Sequence, residues 1–141
     1  MYGDTATIRA HARRQHERAE EIRALATSLM HQAEAVPWSG VAADAMRQTA
    51  RAHAARLAAC ADAHARAGEA LERHAREVDR VKDLIASIER SVLATVDSLT
   101  SGVAGVVGHV VPDALDRWAL SFDPPPHGSL AWLDVRPPVA A

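Results

Sequence analysis

The chain has one cysteine, one lysine, one tyrosine and one phenylalanine among its 141 residues. Cys60 alone excludes an intrachain disulfide and a cysteine-based zinc site. So few large aromatics argue against a thick globular core. Much of the apolar content is alanine, which suits a thin core between helices. The formal net charge of -2 leaves no global basic field, so nucleic acid is not expected as a partner. No basic-then-apolar stretch opens the chain, and residues 1–34 are too charged for a signal peptide. Export by the general secretory route is therefore not expected. Proline is missing between Pro37 and Pro112, which permits one very long helix.

What is present is helical patterning. Asp4 and Thr5 offer N-caps. Ile8, Ala12, Gln15, Ala19, Ile22, Ala26, Leu29, Ala33 and Val36 recur at alternating spacings of four and three, the seam of an amphipathic helix. Charges such as Arg13, Arg14, Glu17 and Arg18 lie off that seam, as on a solvated face. Pro37 stops this helix and disfavours helical geometry at Val36. Ser39 is a candidate cap for the next helix, and Gly40 relaxes the backbone.

A second seam runs through Met46, Ala50, His53, Leu57, Cys60, His64, Ala67, Leu71, His74, Val78, Val81, Ile85, Ile88, Val92, Thr95 and Leu99. A helix over residues 41–99 would be ~88 Å long, against ~48 Å for one over residues 5–36. Folded back, the first covers the second only to about residue 72 at that rise. Beyond it stand Val78, Val81, Ile85, Ile88 and Val92, bulky β-branched residues without a partner in the hairpin. Leaving each in water forfeits ~1.5–3 kcal/mol. Either the tail or another chain must cover them, and these five residues are the expected partner face.

After residue 99 the character changes. Gly102, Gly105 and Gly108 stand three apart in an apolar run, read as a small-residue helical extension over residues 100–121. The run is too short to span a bilayer; with the preceding helix, residues 92–111 could lie on or dip into a membrane, and Asp97 argues against a simple span. Trp118 and Leu115 are candidate anchors of a short helix after Pro112. Residues 122–141 carry five prolines and read as an extended or disordered arm, in which Trp132 and Leu133 are able to dock on a groove.

Catalytic constellations are missing, and no enzyme activity is expected. Ser39 lacks the Gly-x-Ser-x-Gly elbow, and the glycine run lacks the Lys and Ser/Thr of a phosphate loop. Cys60 is expected as a small core residue rather than a reactive thiol. His53, His64 and His74 sit on the second seam, eleven and ten residues apart. A metal pair within one helix needs spacings of three or four, so neither metal nor other cofactor is expected. Their ionisation near pH 6 would instead place charge at a helix interface, a possible pH-sensitive seam.

Trp38-Ser39-Gly40, in the sole break between two heptad-patterned helices, resembles the W-x-G turn of the small ESAT-like proteins of type VII (ESX) secretion. The resemblance covers residues 1–99. It implies an all-α antiparallel hairpin, helix–W-x-G turn–long helix, here with a Gly- and Pro-rich C-terminal extension. It makes Trp38 and Gly40 the turn residues. It implies pairing, as homodimer or heterodimer, into a four-helix bundle with another small hairpin or with the hairpin domain of a larger effector. The implied route is signal-peptide-independent export from the cytoplasm as a substrate or as the escort of one. The chain departs from the family in lacking a Tyr-x-x-x-Asp/Glu signal after the second helix, its only tyrosine being Tyr2. Two other classes fit the pattern: a membrane-active protein inserting residues 92–111, and a cytoplasmic coiled-coil adaptor.

Overall fold

The structure, a computed structural model, describes residues 4–105 and 113–138. The described residues are helical and contain no strand. Helix α1 spans Thr5–Ala35, α2 spans Val41–Gly105, α3 spans Ala114–Ser121, and a short 3-10 helix covers Leu130–Asp134. Asp4 caps α1 by accepting hydrogen bonds from the Ala6 and Thr7 amides, and its carboxylate also meets the Thr7 hydroxyl. The helix ends at Ala35 because Val36, ahead of Pro37, is extended with φ -67° and ψ 118°.

The chain forms two compact units, Asp4–Arg76 and a second that begins at Glu77. The division falls inside α2, whereas the sequence reading placed it at residue 99. In the first unit α1 packs on the Val41–Arg76 portion of α2. The pairings run in opposite senses, Arg23 with Asp62 and His16 with Glu72, so the helices are antiparallel. The buried side of α1 is Ala12, Ala19, Ala26 and Ala33, spaced by seven. Across from it the buried apolar residues are also alanines: Ala43, Ala50, Ala54, Ala61 and Ala75. A methyl-only seam lets two backbones approach closely but supplies little apolar area per residue.

The two lines of the α2 seam fared differently. Residues 50, 57, 64, 71, 78, 85, 92 and 99 do face inward or stand half-buried. The second line lies one residue further along, through Ala54, Ala61, Gly68 and Ala75 rather than His53, Cys60, Ala67 and His74; further on, Glu89 is buried beside a half-buried Ile88. Cys60, expected in the core, is exposed. Small side chains leave a faint hydrophobic signal even where they sit deepest, so the larger neighbours drew the line to the wrong side.

In the second unit the core is Ile85, Val92 and Trp132, with Val81, Ile88, Val96, Trp118, Phe122, Leu133 and Val135 packed against it. The described part of the tail is therefore neither extended into solvent nor disordered. Its prolines shape a return path. Ser129 N–H donates to the Pro126 carbonyl at 3.0 Å across a turn in which Gly128 takes φ +68°, the left-handed region that suits glycine. The Ser129 hydroxyl then caps the 3-10 helix through the Ala131 amide. Asp113 starts α3 with a reciprocal capping box to Asp116. Of the expected extension over residues 100–121, α2 accounts for the start and α3 for the end, while residues 106–112, Gly108 among them, lie outside the described residues.

Candidate functional site

The connection between the long helices is built from Val36 to Gly40. Trp38 N–H donates to the Val36 carbonyl at 2.8 Å. Arg47, one turn into α2, donates to the Val36 carbonyl at 3.2 Å and the Trp38 carbonyl at 2.6 Å. One guanidinium thus bridges two carbonyls of the connection that follows α1. Gly40 has φ +105°, and no atom stands within 4 Å of where a Cβ would be, so glycine is required by the backbone and not by crowding. Asp44 N–H donates to the Gly40 carbonyl at 3.0 Å, which begins α2. Ser39 makes no side-chain hydrogen bond among the described residues; Arg47, which the sequence reading missed, holds the turn.

This end of the helix pair is apolar and open. Trp38 is 49% exposed and Val41 89% exposed. Beside them Leu29, Ala33, Val36, Met46, Ala50 and His53 line a groove of about 450 Å³.

Further along, the alanine seam carries a polar layer. The His64 ring nitrogen Nδ1 meets Gln15 Oε1 at 2.6 Å, and His16 Nε2 lies 3.4 Å from Glu72 Oε1. A Cβ on Gly68 would stand 2.7–3.0 Å from the His16 ring, so the missing side chain is what admits that imidazole. Of the three expected seam histidines only His64 faces the other helix; His53 and His74 are exposed. Among the described residues no cluster of His, Cys, Asp and Glu is placed to hold a metal ion.

The expected partner face has an occupant from its own chain. Val78, Ile85 and Val92 are buried, at 4%, 1% and 6% exposure. Val81 and Ile88 pack against the cluster that holds Trp132. Trp132 is itself 1% exposed, its Nε1–H donating to the Pro126 carbonyl at 3.1 Å. Phe122 stands between two indoles, its ring centroid 4.9 Å from Trp118 and 6.2 Å from Trp132. The reason for expecting a second chain on this seam, its lack of cover, no longer holds.

A buried carboxylate fastens the tail. Glu89, 8% exposed, accepts a hydrogen bond from His127 Nδ1 at 2.7 Å and one from the Gly128 amide at 3.4 Å. The His127 hydrogen bond holds the Glu89 carboxyl below the ordinary glutamate range; burial pushes the other way, and the Gly128 amide adds to the lowering. Sequence reading did not single out Glu89. Its place on the line of Ala61, Gly68 and Ala75 was the signal available.

Fold and turn together define a small all-helical module with an exposed apolar end. A family model described as "Putative T7SS secretion signal domain" matches residues 1–91, well over half of the chain, and the chain belongs to that family. Its association is with type VII secretion, a route that does not use a signal peptide. No curated protein and no solved structure matches the chain. Among the described residues no helix is long and apolar enough to cross a membrane; the segment over residues 92–111 considered for insertion begins in the Trp132 core and runs beyond the described residues.

Proposed function

We propose that the chain is a non-enzymatic helical substrate of a type VII (ESX) secretion machine, or the escort of one, and that it acts by pairing with a second helical hairpin. The single observation that carries this reading is the Trp38-Ser39-Gly40 break between two antiparallel helices within the stretch matched by the secretion-signal family. In this reading Trp38 and Gly40 are the W-x-G turn of an ESAT-like hairpin. Gly40 supplies the left-handed backbone that the reversal needs, and Trp38 supplies exposed aromatic area for a recognising surface.

The partner is a small hairpin, a second copy, or the hairpin domain of a larger effector. With Val81 to Val92 occupied by the tail, the contact surface that favours pairing is the groove of Leu29, Val36, Met46 and His53 beside the turn. Pairing there leaves the Trp132 core undisturbed. A four-helix arrangement through Val78, Val81, Ile85, Ile88 and Val92 requires the tail to leave first. No cofactor takes part in either arrangement.

The test is export of a tagged full-length chain from a type VII-competent bacterium and from the same strain lacking the secretion ATPase. Appearance in the medium only with the ATPase supports the reading. Retention in both strains, with a co-encoded helical partner supplied, overturns it. Light scattering of the purified chain, alone and with that partner, reads the pairing directly: a dimer or a 1:1 complex lost on Trp38→Ala and Met46→Asp supports the groove, and a monomer in both samples removes it.

A further inference from the structure

The alanine seam of the first unit has two flanks. A residue three positions past a seam residue falls short of a full helical turn, and one four positions past overshoots it. On the overshooting flank stand His16 and Arg23 of α1 and Glu72 of α2, and there the His16–Glu72 and Arg23–Asp62 pairs join the helices. The other flank carries Ile22, Leu29 and Val36 from α1 and Met46, Leu57 and Leu71 from α2. Val36 is 40% exposed, and the other five are half-buried. The large side chains of this unit thus lie beside the methyl seam and not in it. Among them Gln15 and His64 meet across the same flank at 2.6 Å.

No Asp, Glu, Lys or Arg stands in either row of this second flank. The next row outward on α2 is His53, Cys60, Ala67 and His74. On α1 that next row holds one such charge, Arg18, paired with Glu21 at 3.3 Å. Beyond it the rim is mixed in sign, with Arg14 and Glu21 on α1 and Arg56 on α2. A face built for a strongly charged partner would carry the opposite sign. This one meets its own copy without like-charge repulsion. From Ile8 to Val36 it is ~42 Å long, and at two helix diameters in width it offers roughly 800 Å² per copy, the area of a standard stable interface. The described part of the tail does not compete for it, being engaged on Ile85 and Val92.

We propose that a second copy of the chain packs on this uncharged flank across a two-fold axis, the same rows of both copies closing over one another. The inference rests on the reading that the chain acts by pairing. It extends the contact from the groove at the turn to the full length of the helix pair, and it commits to one partner. The Gln15–His64 layer is the polar step in an otherwise apolar strip, and it penalises shifted registers.

The experiment is sedimentation equilibrium of the full-length chain alone, at concentrations up to about 100 µM, well above the weakest constants usual for an interface of this area. A monomer–dimer equilibrium is expected. Ile22→Glu and Leu57→Glu, each checked for unchanged helicity by circular dichroism, should raise the dissociation constant by about 30-fold or more. Ala58→Glu, next to Leu57 in sequence but exposed on the charged flank, should leave it unchanged. A monomer at every concentration overturns the proposal. So does a dimer that survives both flank variants; its loss on Met46→Asp would then confine pairing to the groove. A monomer that instead forms a 1:1 complex with a different helical protein, broken by Leu57→Glu, gives the flank another occupant and ends the second-copy assignment. If the flank variants lose helicity, methyl chemical shifts of the parent across the concentration range decide: changes at Ile22, Leu29 and Leu57 support the flank, and their absence ends it. Export is read separately, so a monomer still exported through the secretion ATPase sinks this inference and spares the secretion reading.

Discussion

The two units bury the same helix by opposite means. Along Val41–Arg76, α2 meets α1 through alanines, and the contact depends on nothing large standing between the backbones. From Glu77 on, α2 presents Ile85 and Val92, and the contact depends on one large ring, Trp132, filling the space over them. The first kind of packing fails when atoms are added and the second when atoms are removed. Four substitutions follow from that contrast.

Trp132→Ala has the largest expected effect. It empties the centre of the second core and should cost about 3–5 kcal/mol of local stability. Hydrogen exchange should show lost protection over residues 81–96 with residues 8–33 unchanged. Equal protection in variant and parent would mean the tail does not hold this seam. Ala61→Leu is the reverse experiment. Ala61 is fully buried, and three added carbons should destabilise the helix pair by about 1–3 kcal/mol. Ala59→Leu, at an exposed position of the same helix, should be near neutral in the same melt. If both leucines are tolerated alike, the alanine seam is not closely packed.

Gly68→Ala is smaller and its sign depends on His16. Alone, it drives a methyl into the imidazole, and the helix propensity that alanine adds is offset. In a His16→Ala background the same change should stabilise by about 0.5–1 kcal/mol. A double-mutant cycle with no coupling would separate Gly68 from His16. The last effect is confined to acid. The Glu89 carboxyl is lowered on folding, so its contribution is fully present above the ordinary glutamate pKa and is lost as pH falls through the lowered folded value. The near-ultraviolet signal of the Trp118, Phe122 and Trp132 group should weaken over that window. Glu89→Gln should lack this acid limb; an identical profile in parent and variant would remove the carboxylate from the account.

Much of this architecture was readable from residues. Pro37 and Gly40 bounded the helices because each acts on the backbone locally, whatever surrounds it. The α1 seam was legible for the same reason that it is unusual: alanines at strict seven-residue spacing. On α2 one line was legible and the other was displaced by a residue, since Ala54 and Ala61 carry too little apolar bulk to outvote His53 and Cys60. The tail was read from its prolines, which record a backbone without helix hydrogen bonds but say nothing about where that backbone goes. Its destination was set by Trp132 on Ile85 and Val92 and by His127 on Glu89, pairings between distant residues that no local pattern displays. The candidate site divides in the same way. Trp38 and Gly40 were visible as a motif, whereas Arg47 and the Gly68–His16 contact exist only once two helices are laid side by side.

The tail clamp has a consequence for what happens on dilution. A seam covered by a separate protein is bare whenever that protein falls well below its dissociation constant. A seam covered by a segment of the same chain sees that segment at a fixed effective concentration, set by the connection and not by the number of molecules present. Val81, Ile85 and Val92 therefore stay dry in a crowded cell and in a large external volume alike.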